Sequence, residues 1–143
     1  MVDFFSGCGG TSAGLRAAGL NVALAIDNNL DATRTYEANF GQGIALNRDI
    51  TTLTPQQIEP WLNDFAVDDL VLFSACAPCQ PFSRQNRTGG SADDRYPLLL
   101  DFVRFVWYFK PDLIFLENVP GVDQVRGTAR PFATCLHTFS NLG

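Results

Sequence analysis

The chain has 143 residues, a formal net charge of −5 and 46% apolar residues. That length suits one domain with a real core, and the acidic balance argues against this segment being the main grip on nucleic acid, which wants a basic surface. No apolar run is long enough to span a membrane, no signal peptide opens the chain, and four cysteines in such a chain read as reduced thiols, so a cytoplasmic protein without a membrane partner is expected.

Residues 1–5 form a short apolar run that enters the cluster Gly7, Cys8, Gly9, Gly10. Residues 11–18 predict a helix stopped by Gly19. A second strand over 22–26 ends in Asp27, and a second helix over 31–39 is closed by Gly41. A short third strand at 44–46 leads to Asn47, Arg48, Asp49 and Ile50, and Pro55 opens a helix over 55–63. The run 69–74 predicts a fourth strand, apolar on both faces, followed by a long connection over 75–94. A connection of that length in a compact domain is usually functional. A helix over 96–109, a fifth strand over 111–117 and a last helix over 128–142 complete the pattern. Alternating β and α, with strands apolar on both faces, predicts an α/β fold: a doubly wound, mostly parallel sheet with helices on both faces. Ligands in such sheets bind at the carboxyl ends of the strands, where every motif below falls.

At the first strand end, Gly7 and Gly9 permit a tight turn and close approach of backbone to a ligand, and the helix behind them favours an anionic group. Asp27 lies 20 residues after Gly7, where a carboxylate can accept from both hydroxyls of a ribose. The dinucleotide pattern wants a third glycine where this chain has Ser12. That weakens a dinucleotide and leaves a smaller nucleoside, and S-adenosyl-L-methionine fits. Asp49 could accept from an adenine amino group, with Ile50 packing on the ring. The bland alternative is a turn made by the glycines and a helix cap made by Asp27.

At the fourth strand end, Cys76 and Cys79 form a CxxC. Zinc needs four ligands, and Cys8, Cys135 and His137 have no matching spacing, so no metal is expected. A redox pair sits at the start of a helix, whereas Pro78 and Pro81 favour an extended, rigid loop here. Such a loop suits Cys79 as a nucleophile, with Cys76 packing as a small apolar residue. At the fifth strand end, Glu117 follows four apolar residues. Partial burial is expected there, and burial would let its carboxyl hold a proton near neutral pH. The alternative for Glu117 is a cap. Neighbouring fourth and fifth strands would bring Cys79 and Glu117 to one cleft.

These segments, DFFSGCGG, AIDNN, RDI, APCQPFS and LENVPG, in this order, resemble the cytosine-C5 DNA methyltransferase family, over residues 2–143. The resemblance implies a Rossmann-like methyltransferase fold, S-adenosyl-L-methionine as methyl donor, double-stranded DNA as partner and a restriction-modification setting. It implies Cys79 as the nucleophile at cytosine C6 and Glu117 as the residue at N3. It places Phe5, Gly7, Gly9, Asp27, Asp49, Ile50 and Leu98 at the cofactor. It places Pro78, Gln80, Ser83, Asn118 and Arg95 on the substrate side, around a base flipped from the duplex. Relative to that family the chain stops soon after LENVPG, so the recognition domain is expected in a missing C-terminal region or a second chain. This chain alone is then expected to be inactive. A tRNA cytosine-C5 methyltransferase of the same family, and a non-catalytic cofactor-binding or assembly fragment, stand as alternatives.

Overall fold

The computed structural model of the protein describes residues 1–63, 69–78, 98–118 and 131–140. Five parallel strands, β1 (Val2–Phe4), β2 (Leu24–Asp27), β3 (Ala45–Asn47), β4 (Leu72–Ala75) and β5 (Leu113–Leu116), form one sheet in the order β3-β2-β1-β4-β5. The order reverses between β1 and β4, and such a switch point opens a crevice at the carboxyl ends of the strands. The helices are α1 (Gly10–Ala17), α2 (Leu30–Phe40), α3 (Glu59–Leu62), α4 (Leu98–Phe109) and α5 (Pro131–Ser140).

Side chains alternate across a strand, and the register lines them up. Val2 pairs with Leu24 and Phe73, and Phe4 with Ile26 and Ala75, so these six share one face. They join Leu99, Phe102, Phe105 and Val106 of α4 in the core. The spacing of those four α4 residues is one helical stripe. Phe4 is the centre of it, with ring centroids 5.3 Å from Phe73, 5.0 Å from Phe102 and 5.1 Å from Phe105. The opposite face carries Asp3, Ala25 and Ser74, and there Asp3 meets Ser12 of α1. Helices therefore cover both faces, as the apolar strands predicted.

Several elements depart from expectation. The single helix expected over 55–63 is a 3-10 turn, Pro55–Ile58, followed by α3. Pro60 has no N–H to bond the carbonyl of Gln56, which instead takes the Glu59 N–H in the tighter pattern. β4 starts at Leu72 rather than at 69, because the Val71 N–H is taken by an Asp112 carboxylate oxygen at 2.7 Å. Of the connection expected over 75–94, Ala75 belongs to β4, and 79–94 lies outside the described residues. Among the described residues no helix is long and apolar enough to cross a membrane.

Candidate functional site

The turn from β1 into α1 is built on unusual backbone. Phe5 has φ 56°, a left-handed conformation that costs a non-glycine residue on the order of 1–3 kcal/mol and that clusters at functional sites. Gly9, at φ 96°, caps α1 with no room for a side chain: a Cβ would sit 2.4 Å from the Phe40 ring and 3.0 Å from Tyr36. Gly9 thus lets α1 pack on the stacked Tyr36–Phe40 pair of α2.

Asp27, at the end of β2, accepts the Gly7 N–H on Oδ2 and the Asn29 N–H on Oδ1, both at 2.8 Å. Asp27 thereby pins the glycine turn to the β2 end, while the helix cap considered for it is made by Asn29, whose side chain accepts the Asp31 and Ala32 N–H groups. A carboxylate has about four lone-pair sites, so roughly two remain for a ligand. Asp49, after β3, accepts the Thr51 N–H and hydroxyl on Oδ1, at 2.9 and 2.8 Å, and Oδ2 has no partner among the described residues. Ile50 beside it is buried.

These residues line one cleft of about 150 Å³ at the carboxyl edge of the sheet. Phe5 contributes from β1; Ile26, Asp27 and Asn28 from β2; Arg48, Asp49 and Ile50 from beyond β3. Cys76 and Pro78 contribute from beyond β4, and Leu98 from the start of α4. Pockets that enclose a drug-sized ligand run from roughly 300 Å³ upward. The described residues therefore form one part of a binding site. Of the expected cofactor residues, Phe5, Asp27, Asp49, Ile50 and Leu98 meet in this cleft, whereas Gly7 and Gly9 stand behind it and shape the turn.

Ser6 is buried, and its hydroxyl has no partner among the described residues. An orphaned buried hydroxyl in the glycine turn, next to carboxylates with unused lone pairs, fits a ligand that presents hydroxyls and amino groups. The acceptor set therefore suits the hydroxyls and amino group of a nucleoside.

Beneath the cleft lies a buried network. Asp3 is fully buried and accepts from Ser12 Oγ at 2.5 Å and from Ser74 Oγ, while Tyr36 donates to Ser12 Oγ at 2.6 Å. Burial pushes the Asp3 carboxyl above the usual carboxylate range; the two hydroxyl donors pull it back, and the Asp27 charge adds to the push. Burial also raises the Tyr36 hydroxyl. Ser12, read in the sequence only as a missing glycine, joins α1, α2 and β1.

β5 runs beside β4, with Leu116 in register with Ala75. The Glu117 N–H reaches the Ala75 carbonyl at 3.2 Å, and Asn118 Nδ2 approaches the Ala77 carbonyl at 3.5 Å. The Glu117 segment is thus laced to the chain two residues before Cys79. Cys79, Gln80, Ser83 and Arg95 lie outside the described residues.

Two expectations are corrected. Glu117 is exposed rather than partly buried: it follows Leu113 and Phe115 on the Asp3–Ser74 face, at the β5 side of the sheet beyond α1 and α2, where those two are 52% and 41% exposed. Cys76 is not simple packing. It is half-buried, lines the cleft and lies 3.1 Å from Thr11 Oγ1. The cleft residues not expected at a ligand are Ile26, Asn28, Arg48 and Cys76, each adjacent to a motif residue. Among the described residues no cluster of three or more His, Cys, Asp or Glu could hold a metal.

A parallel sheet with this order, a glycine turn after β1 and acids after β2 and β3 define a doubly wound α/β domain with a cleft at its switch point. The comparisons narrow that class. The C-5 cytosine-specific DNA methylase family matches residues 1–143, and the chain belongs to this family. It is 37% identical over its whole length to Type II methyltransferase M.DdeI of Desulfomicrobium norvegicum, covering 34% of that protein. It is 33% identical over 86% of its length to the tRNA (cytosine(38)-C(5))-methyltransferase of Spodoptera frugiperda, covering 36% of it. The crystal structure of S. pombe Dnmt2 methyltransferase superposes with a TM-score of 0.72 at 26% identity, over 98% of this chain and 41% of that one. The chain thus spans about a third of the length of these curated relatives.

Proposed function

We propose that residues 1–143 are the N-terminal, cofactor-binding and nucleophile-bearing part of the catalytic domain of a DNA (cytosine-5-)-methyltransferase of a restriction-modification system. The observation that carries this reading is the single cleft in which the ends of β1, β2, β3 and β4 meet, with Pro78 on its wall directly before Cys79. S-adenosyl-L-methionine, when bound, supplies an electrophilic methyl group on a sulfonium. Asp27 would accept from ribose hydroxyls, Asp49 from the adenine amino group, and Ile50 would pack on the ring. Asp27 and Asp49 also give the cleft the negative character that suits a sulfonium.

Cytosine C5 is a poor nucleophile. Addition of the Cys79 thiolate at C6 breaks the 5,6 double bond and makes C5 an enamine carbon able to take the methyl group. Glu117, at the β5 end beside the β4 extension, would supply a proton at N3 to neutralise the charge that builds on the ring. Loss of the C5 proton and expulsion of the thiolate restore the aromatic ring. The target atom is stacked inside a duplex, so the base must be flipped out first; Pro78, Gln80, Ser83, Arg95 and Asn118 would face it. Recognition of double-stranded DNA would rest on further sequence, in the same chain or a second one.

The likeness to a relative named as a tRNA methyltransferase supports RNA as a second reading of the acceptor. Full-length protein assayed with duplex DNA and with tRNA separates the two. Methyl transfer to duplex DNA, lost in Cys79→Ser, is expected. Transfer to tRNA alone moves the substrate to RNA, and turnover retained in Cys79→Ser contradicts the mechanism.

A further inference from the structure

We infer that Arg104, outside the cleft, is a positioning residue that sets the cofactor affinity of the Asp49–Ile50 wall. The inference rests on the cleft being the S-adenosyl-L-methionine site.

The turn after β3 closes on itself: the N–H groups of Thr52 and Leu53 both donate to the Asp49 carbonyl at 3.1 Å. The Ile50 and Leu53 side chains are buried in the core, and their carbonyls need other partners. Arg104, on α4, supplies them across more than fifty residues of sequence. Its Nη2 donates to the Ile50 carbonyl at 2.8 Å, and its Nη1 approaches the Leu53 carbonyl at 3.5 Å. Asp101, one turn earlier, holds the guanidinium at 3.0 Å. The same helix begins with Leu98, which lines the cleft. One planar fork therefore ties the Asp49–Ile50 wall to the helix that carries the Leu98 wall. A guanidinium can span two carbonyls in fixed geometry, and an ammonium cannot.

Arg104 does not line the cleft, so its loss should loosen the wall without touching the reacting groups. The test uses the full-length protein, with S-adenosyl-L-methionine affinity measured by equilibrium dialysis and kcat measured at saturating cofactor. Arg104→Gln is expected to weaken cofactor binding about tenfold while kcat stays within about twofold of wild type. Arg104→Lys keeps the charge beside Asp101 and should lose only about threefold, so it decides the matter if Arg104→Gln does not fold. Tyr108→Phe removes the hydrogen bond from the same helix to Glu59, away from the turn, and should leave cofactor affinity unchanged. If wild type binds cofactor and both Arg104 variants bind it equally well, the positioning role is overturned while the site stands. If wild type does not bind cofactor, the site and the inference fall together. A tenfold loss in Tyr108→Phe also overturns it, because helix docking in general would then be the cause.

Discussion

Gly9 and Asp3 show how much of the site depends on single atoms. A methyl group at Gly9 would meet the Phe40 ring at 2.4 Å, at a backbone φ of 96° that side chains resist. Overpacking together with left-handed strain predicts a loss of at least about 2 kcal/mol for Gly9→Ala. Denaturant unfolding of the full-length protein measures it, and a loss below about 0.5 kcal/mol would contradict the packing role. For Asp3 the sign follows from its raised carboxyl. The folded state holds this proton more tightly than the unfolded chain does. The associated stability is present below the unfolded carboxylate range and is lost as pH rises through the raised folded value. Asp3→Asn cannot ionise, so wild type should lose stability relative to Asp3→Asn on going from acid toward neutral pH. A stability difference that does not change with pH would contradict this. The sequence did show Asp27, Asp49 and Ile50, because their spacing after strand ends is local. The Asp3–Ser12–Ser74 network was not visible, because Ser74 is 71 residues from Asp3 in sequence and only strand order joins them.

At the scale of elements, α4 contributes most to the core. Phe105 is fully buried against Phe4, so Phe105→Ala should cost about 3–5 kcal/mol. The midpoint of denaturant unfolding reads this directly, and a shift worth less than about 1 kcal/mol would place α4 outside the core. The helix α4 and the apolar strands were legible, because burial leaves almost continuous hydrophobic runs in both. The break at Pro60 and the start of β4 at Leu72 were not, because each depends on where one backbone N–H finds its acceptor. Exposure of Glu117 escaped for a different reason. A run of four apolar residues reads the same whether or not helices cover it, and only the packing shows Leu113 and Phe115 left exposed beside Glu117.

Across the whole molecule, the cleft proposed for the cofactor ends at Pro78, one residue before the proposed nucleophile Cys79. Cofactor that binds the folded state alone stabilises it by RT ln(1 + [L]/Kd), about 2.7 kcal/mol at a hundredfold excess over Kd. S-adenosyl-L-methionine should therefore raise the melting temperature of the full-length protein, and Asp27→Ala should remove most of that shift; an unchanged shift would take Asp27 out of the site. The proposed mechanism makes and breaks a bond between Cys79 and cytosine C6, and a trapped adduct reads that bond itself. Duplex DNA carrying 5-fluorocytosine at the target position has no C5 proton to lose, so a thiolate added at C6 cannot leave after methyl transfer. Mass spectrometry of the full-length protein incubated with this DNA and S-adenosyl-L-methionine should find the nucleotide bonded to the peptide containing Cys79, and no adduct with Cys79→Ala. An adduct on Cys76 or another residue, or none in a protein that methylates ordinary cytosine, would contradict the account.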